Sequence, residues 1–464
     1  MEIKGKKVLV MGLARSGLGA SNILAKLEAE VTVTDIKPIE AVEGYVKRLL
    51  PSVRHVLGGH PGELFRETDM IVLSPGISLD NPHLQDAIKL GMPIISELEL
   101  AYGLTDAPFI AITGTNGKST TTTLVAEMLK LDGRNIILGG NIGNALTEEI
   151  YMAVNTQKTI DFIVAEVSSF QLETIKEFRP KIAAILNITP DHMDRYHYMD
   201  AYIKAKERIF ENQTSDDFLV LNADDPEINE VRSKKLEVRS VKPQILFFSR
   251  FKEVKGVYFK NGVVYCNIPD LSFPGHLPLI DADDIRIKGV HNLENAMAAS
   301  LIAILCGCRI KAIRDTLVDF KGLEHRLEFV DEMDGVTYIN DSKGTNIGAV
   351  MKSLEGFESP IILLAGGRDK DGDFSLLRGL VEKKVKTLIL FGEAKDKISK
   401  AIGDATDTIM ADTLKDAVEI ARNQAERGDV VLLSPACASF DMFSDFEDRG
   451  RKFKEIVRGQ RVRS

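Results

Sequence analysis

From Ile110 the chain reads IAITGTNGKSTTT, an apolar β-branched run followed by two glycines, a lysine, a serine and a row of threonines. Gly114 and Gly117 would let consecutive backbone amides curl around oxygen atoms. Lys118 adds a point charge, and a helix opening there adds the positive end of its dipole. Ser119 offers a hydroxyl to Mg2+. This is the shorter G-T-N-G-K-S form of a phosphate-binding loop, because Ile112 stands where the longer pattern has glycine.

Other stretches gather chemistry around it. VLVMGLARSGLGA, with Asp35 after a second strand, has the outline of a dinucleotide fingerprint. Ala14 replaces its middle glycine and Arg15 and Ser16 follow, so the ligand is nucleotide-like but held differently from NAD. AEVSSFQLE and LNITPDHMDRY each follow an apolar run; Glu166 is placed to take Mg2+, and Asp191, His192 and Asp194 collect donors and acceptors. YIKAKERIF sets Lys204, Lys206 and Arg208 at alternating positions of a helix, which by itself reads as a solvated charged face. Asn292 and Asn295, three apart in KGVHNLENAMAA, share a helical face and suit either an adenine edge or a helix cap. Near the C-terminus, EHRLE, NDSKGTN, AGGRDKDGDF and SPACASFDMFSDFEDRG put Arg326, Asp341, Lys343, Lys370 and Ser439 in or beside turns. As a set they suit a small anionic substrate.

Positioning these groups requires strand ends. Short apolar runs such as KKVLVMG, EVTVTD, FIAITG, DFIVAEVSS, PIILLAGG and DVVLLSPA alternate with helical patterns, the signature of parallel α/β sheets. Each run ends in residues that would meet a ligand at the carboxyl edge. ILFFSRFKEVKGVYFKNGVVYCNIP breaks the rhythm and reads as antiparallel strands, with Asn261-Gly262 as a hairpin turn. Boundaries near 100–108 and 320–325 divide the 464 residues into 1–102, 103–323 and 324–464. A formal charge of −9 argues against broad nucleic-acid binding. The four cysteines read as buried thiols rather than metal ligands, which suits a reducing cytoplasm. The N-terminal apolar run leads into Arg15 and reads as a first strand rather than a signal peptide, and no run is long enough for a membrane span.

In order along the chain, GTNGKST, EVSSFQLE, NITPDHMDRY, HNLENA, HRLE, NDSKGTN and LLSPACASFDMF resemble the motifs of the Mur ligases of peptidoglycan synthesis. The resemblance covers essentially the whole chain. Folylpolyglutamate synthases share the central and last domains, but GLARSG and SPACASFDMF resemble the D-glutamate-adding branch, and the D-N-P-R stretch of diaminopimelate-adding members is absent. The resemblance implies a three-domain architecture: a Rossmann-like first domain for a UDP-substrate, a central P-loop ATPase-like α/β domain with a small antiparallel appendage, and a Rossmann-like last domain for an amino acid. It implies ATP-dependent addition of D-glutamate to UDP-N-acetylmuramoyl-L-alanine through an acyl phosphate, with two Mg2+ ions. It also implies carbamylation of Lys206, in place of the solvated-face reading. Gly114, Thr115, Asn116, Gly117, Lys118, Ser119, Thr120, Asn292, Asn295, Arg326 and Asp341 then fall to ATP. Arg15, Ser16, Asp35, Lys37, Ser74, Gly76 and Asn141 fall to the UDP-substrate, and Thr345, Lys370, Ser439, Phe440 and Phe446 to D-glutamate, with Lys370 preferred over Arg368. Lys118, Glu166, His192 and Lys206 form the implied catalytic set, and Ser119, Glu166, His192 and carbamylated Lys206 the implied metal ligands. The partners implied are small molecules only, with no nucleic acid and no membrane insertion, acting on a cytoplasmic monomer.

Overall fold

Leucine and β-branched runs become fully buried strands wherever helices cover both faces of a sheet. The first such sheet comprises β1 (Lys7–Met11), β2 (Glu30–Asp35), β3 (Arg54–Leu57), β4 (Met70–Leu73) and β5 (Ile94–Ser96). Its order is β3-β2-β1-β4-β5 and every pairing is parallel. Two apolar clusters, one around Val8, Val10 and Val33 and one around Leu9, Met11 and Ile71, fill its two sides. The strand order reverses between β1 and β4, and there Ser74 Oγ donates to Gly12 O at 2.8 Å. Such a switch point leaves a crevice at the carboxyl edge.

The second sheet holds β6 (Phe109–Thr113), β7 (Ile136–Gly140), β8 (Phe162–Glu166), β9 (Ile182–Ile185), β10 (Phe218–Asn222), β11 (Gln244–Ser249), β12 (Gly256–Lys260), β13 (Val263–Asn267) and β14 (Leu277–Asp281). Its order is β14-β13-β12-β11-β10-β9-β6-β8-β7. The antiparallel strands continue the edge of this sheet. The join from β11 to β12 is parallel, and the reversals come at β12–β13 and β13–β14. Asn261 and Gly262 turn the first reversal with φ of 50° and 84°, the left-handed pair of a tight hairpin.

The third sheet comprises β15 (Glu328–Met333), β16 (Val336–Asn340), β17 (Ile361–Gly366), β18 (Val385–Phe391), β19 (Asp407–Met410) and β20 (Val430–Leu433), in the order β15-β16-β20-β17-β18-β19. Only β15–β16 is antiparallel. Its core again lies on both faces.

The computed structural model describes residues 2–231, 243–269 and 275–459. They form two compact units. Met1–Ile188, Asp200–Asp284 and Glu294–Val318 make the first, which contains the first two sheets. Thr189–Met199, Ile285–Leu293 and Asp319–Ser464 make the second. Within the first unit, the short helix Glu97–Tyr102 fastens one sheet to the other. Glu97 Oε1 accepts from Thr147 N at 2.8 Å and Thr147 Oγ1 at 2.9 Å. Glu99 accepts three consecutive amides, from Lys176, Glu177 and Phe178, at 3.0, 2.8 and 3.1 Å. Both glutamates are buried, and desolvation raises the Glu97 carboxyl above its ordinary range. The four cysteines are buried thiols, and burial raises each of them, Cys266 to about 11. Among the described residues no helix is long and apolar enough to cross a membrane.

Candidate active site

The phosphate loop leaves the centre of the second sheet, between β6 and the helix Lys118–Leu131. Gly117 caps that helix with φ of 84°, and a Cβ there would lie 2.2 Å from Asn295 Oδ1. Only glycine fits both conditions. The helix opens KSTTTT, with five residues of poor helix propensity after the lysine, yet Ser119, Thr120, Thr121 and Thr122 are all buried. Packing holds it: Thr122 Oγ1 donates to Lys118 O at 2.8 Å and Thr121 Oγ1 to Asn295 Oδ1 at 3.3 Å. Asn187, just beyond β9, braces the loop from the side. It accepts from Thr115 N and Asn116 N at 2.9 and 2.8 Å and donates to Asn116 O at 3.0 Å.

Two ammonium groups meet at one carbonyl of this loop. Lys118 Nζ donates to Gly114 O at 2.8 Å and Thr115 O at 2.7 Å. Lys206 Nζ donates to the same Gly114 O at 2.9 Å and lies 4.4 Å from the centre of the Tyr202 ring. Lys206 is only 1% exposed, whereas Lys204 on the same helix faces solvent. The reading of that helix as a solvated face therefore fails at Lys206 and holds at Lys204. Tyr202 OH reaches Thr115 Oγ1 at 3.3 Å and closes this side of the loop.

Glu166 ends β8 directly opposite Ile112 of β6, so the register sets its carboxylate beside the phosphate loop. It is 2% exposed, and Asn141 Nδ2 donates to its Oε1 at 2.9 Å. Asn141, assigned from sequence to the UDP-substrate, thus also orients the carboxylate assigned to the cation. The buried hydroxyl of Ser119 and the carboxylate of Glu166 are the oxygen donors that a hard divalent cation takes.

At the carboxyl edge of the first sheet, Gly17 abuts the turn so closely that a Cβ would sit 1.8 Å from Gly12 O. Asp35 is buried and both its oxygens are engaged, by Leu13 N at 2.6 Å and Lys37 N at 2.9 Å. It shapes this edge from within. Arg15 donates to Gly143 O, next to Asn141. Ser16 opens the helix after β1, Ser74 and Gly76 stand on the turn after β4, and Ile36 and Lys37 are exposed after β2.

In the second unit, three neighbouring strands, β16, β20 and β17, deliver their loops to one edge. These loops carry Thr345, Ser439 with Phe440, and Lys370. Ser439 is buried and Phe440 is 62% exposed. Phe446 opens the helix Phe446–Gly459, with Lys343 Nζ 5.0 Å over its ring. Arg368 is spent at the surface on Glu393, at 2.9 and 3.1 Å. Lys370 instead turns to Asp191, Nζ to Oδ1 at 3.2 Å.

Sequence reasoning missed the residue that joins these loops. Arg449 is completely buried. Its guanidinium donates to Ser342 Oγ at 3.0 Å, Ser342 O at 2.9 Å and Cys437 O at 3.2 Å, with longer contacts to Ala438 O and Gly366 O. Desolvation lowers it to about 10. A signal was present in FEDRGRKFKEIV, where Arg449, Phe453 and Val457 share a buried helical face.

Asp341 lies inside the second unit, 4% exposed. Its Oδ2 accepts from Ser353 Oγ and Ser434 Oγ, both at 2.7 Å, and desolvation raises it. Arg326 stands near Asp341 and near His291, which desolvation and the charges of Arg326 and Lys352 push down to about 4. Asn292 Nδ2 donates to Lys288 O at 2.8 Å. His192 adopts a left-handed conformation, φ 58°, with Nε2 3.7 Å from Asp191 Oδ2. The side chain of Asp194 lies outside the described residues.

Three family descriptions match in sequence order. "Mur ligase MurD-like, N-terminal domain" covers residues 6–96, "Mur ligase middle domain" 112–303, and "Mur ligase, glutamate ligase domain" 325–437. A UDP-N-acetylmuramoylalanine–D-glutamate ligase from Citrifermentans bemidjiense is 46% identical over 460 residues, 99% of this chain and 98% of that protein. The ligase of the same name from Geotalea daltonii is 47% identical over 461 residues, with the same coverage. Among solved structures, UDP-N-acetylmuramate-alanine ligase from Thermotoga maritima aligns with a TM-score of 0.61 at 16% identity, over 98% of this chain and 100% of that one. The MurF ligase of Thermotoga maritima in complex with ADP aligns at 0.59 and 15%, over 99% and 96%. These two likenesses concern the fold alone.

Proposed function

This chain belongs to the Mur ligase family, and from that premise we propose that it is the ligase that adds D-glutamate to UDP-N-acetylmuramoyl-L-alanine using ATP. The observation that carries this reading is full-length likeness, above 45%, to ligases of that name. The domains are 1–102 for the UDP-substrate, 103–323 for ATP and 324–464 for the amino acid.

A free carboxylate is a poor electrophile, so it must first be activated. The terminal carboxylate oxygen of the UDP-substrate attacks the γ-phosphorus of ATP; the new P–O bond forms as the bond to ADP breaks. The amine of D-glutamate then attacks the carbonyl carbon of this acyl phosphate. The C–N bond forms, the amine gives up a proton, and phosphate leaves with its C–O electron pair. Positioning and charge stabilisation carry most of such a reaction.

The loop amides at 114–120 cradle the phosphates, and Lys118 has only to swing from the Gly114 and Thr115 carbonyls to reach them. Ser119 and Glu166 would hold one Mg2+ and His192 would serve a second, which together neutralise phosphate charge when bound. Asn295, Asn292, Arg326 and Asp341 are assigned to the nucleotide, and Asp341 also accepts from Leu327 N beside Arg326. Two lysines donating to one carbonyl repel each other, which favours conversion of the buried Lys206 into a carbamate. That change replaces a cation by an anion able to serve the metal site. Arg15, Ser16, Lys37, Ser74, Gly76 and Asn141 receive the UDP-substrate, with Asp35 bracing its pocket. Lys370, Thr345 and Ser439 receive the carboxylates of D-glutamate, flanked by Phe440 and Phe446. The enzyme works as a cytoplasmic monomer.

The test is ATP-dependent phosphate release with UDP-N-acetylmuramoyl-L-alanine, comparing D-glutamate, L-glutamate and meso-diaminopimelate. Turnover with D-glutamate alone is expected. Release with either other amino acid and none with D-glutamate would overturn the assignment.

A further inference from the structure

The cation assigned to D-glutamate already has a carboxylate on it. Lys370 Nζ lies 3.2 Å from Asp191 Oδ1, with the two side chains 21% and 9% exposed. Asp191 is fixed there by other groups of the same unit. Asn346 Nδ2 donates to its Oδ2 at 2.9 Å, and its Oδ1 also accepts from His192 N at 3.0 Å. Asn346 is itself held as the cap of the helix Ile347–Glu355, where its Oδ1 accepts from Ala349 N at 2.8 Å. The loop carrying Lys370 pairs with the loop carrying Ser439 through Arg368 and Ala438, which exchange two backbone bonds of 2.9 Å. A rigidly held internal carboxylate therefore sits on an ammonium among the loops proposed for an amino acid with two carboxylates.

We propose that Asp191 is a placeholder for the incoming amino acid: its carboxylate occupies Lys370 until the side-chain carboxylate of D-glutamate displaces it. This rests on the assignment of Lys370 to D-glutamate. An ammonium left alone in a half-buried site would bind stray anions or demand ordered water; an internal partner keeps it oriented and neutralised. The exchange is one carboxylate for another on the same cation, so the placeholder weakens substrate binding by the strength of the pair it must break. The effect is selective, because neither ATP nor the UDP-substrate competes for Lys370.

The experiment compares the parent enzyme with Asp191→Asn, Lys370→Met and the double variant. The KM of each of the three substrates is measured. Equilibrium dialysis of labelled D-glutamate, with the UDP-substrate and a non-hydrolysable ATP analogue present, reads affinity even where turnover is lost. Asp191→Asn keeps the shape and removes the charge. It should tighten D-glutamate roughly three- to tenfold, the range for a partly buried ion pair. The KM for the UDP-substrate should stay in place, and the gain should vanish in the Lys370→Met background. D-glutamate affinity that is unchanged or weaker in Asp191→Asn, while Lys370→Met weakens it, would overturn the placeholder and leave the seat assignment standing. Unaltered D-glutamate affinity in Lys370→Met would overturn the seat assignment itself and the placeholder with it.

Discussion

Arg449 offers the sharpest test of how the second unit is held together. Two of its contacts, at 3.4 and 3.5 Å, lie at the limit of hydrogen-bond range and are counted as nothing. Three remain, to Ser342 Oγ, Ser342 O and Cys437 O, at 3.0, 2.9 and 3.2 Å. Hydrogen bonds to a charged group contribute about 1.5–3 kcal/mol each, so the gross loss in Arg449→Met is roughly 5–9 kcal/mol. Removing a cation that is wholly out of water returns several kcal/mol of desolvation. The net expectation is a loss of about 3–5 kcal/mol, a large part of the roughly 5–15 kcal/mol available to a domain. Arg449→Lys keeps the charge, but a single ammonium cannot span loops the planar fork reaches together, and about 1–3 kcal/mol should go. Urea unfolding of both variants measures these values. Below the unfolding range, the KM for D-glutamate should rise about tenfold, because Thr345 and Ser439 ride on the loops that Arg449 joins. An Arg449→Met protein within about 1 kcal/mol of its parent, with D-glutamate KM within about twofold, would refute the reasoning.

Lys118→Ala should lower turnover by roughly a thousandfold or more while calorimetry shows UDP-substrate affinity intact; near-normal turnover would contradict the loop assignment. Lys206→Ala should lose roughly a hundredfold or more in activity, partly restored by millimolar acetate or formate standing in for the carbamate, whereas full activity with no supplement would count against carbamylation. The depressed His291 predicts acid sensitivity. The unfolded chain protonates this ring near 6.5 and the folded one only near 4, so the unfolded state binds more protons in that interval. Stability should therefore fall as pH drops from 6.5 towards 4 and level off below. His291→Gln should flatten that slope in urea midpoints taken across the interval, and an unchanged slope would remove His291 as its source.

Much of this was legible in the sequence because the responsible physics is local. The apolar runs KKVLVMG, FIAITG and PIILLAGG sit where β1, β6 and β17 form, since both sheet faces are covered and the strands need no alternation. Gly117 and Lys118 could be read because a left-handed cap and a point charge are demanded by the loop itself. What stayed hidden depends on contacts between distant segments. Lys206 is buried by the loop after β6 resting on its helix, which alternating charges cannot reveal. Asp35 and Asp341 are assigned to ligands from linear motifs, and the motifs could not reveal that Asp35 also accepts from Leu13 N and Lys37 N, or Asp341 from the hydroxyls of Ser353 and Ser434. The join between β11 and β12 is parallel where the run of strands suggested reversal throughout, because Gly256 pairs with Phe247 in the same direction before the Asn261-Gly262 turn.

The fastening at Glu97 and Glu99 bears on how such enzymes can be recombined. A lobe whose connecting helix plants two interior carboxyl groups on a helix and a turn beyond it is not a detachable cassette. A chimera spliced at residue 102 inherits the acids from one parent and the amides that receive them from the other. Any shift in the 176–178 turn would leave buried carboxyl oxygens without donors or solvent. Grafting a foreign sugar-nucleotide lobe onto this chain therefore calls for transplanting the 97–102 helix together with the Thr147 and 176–178 receptors, as one piece.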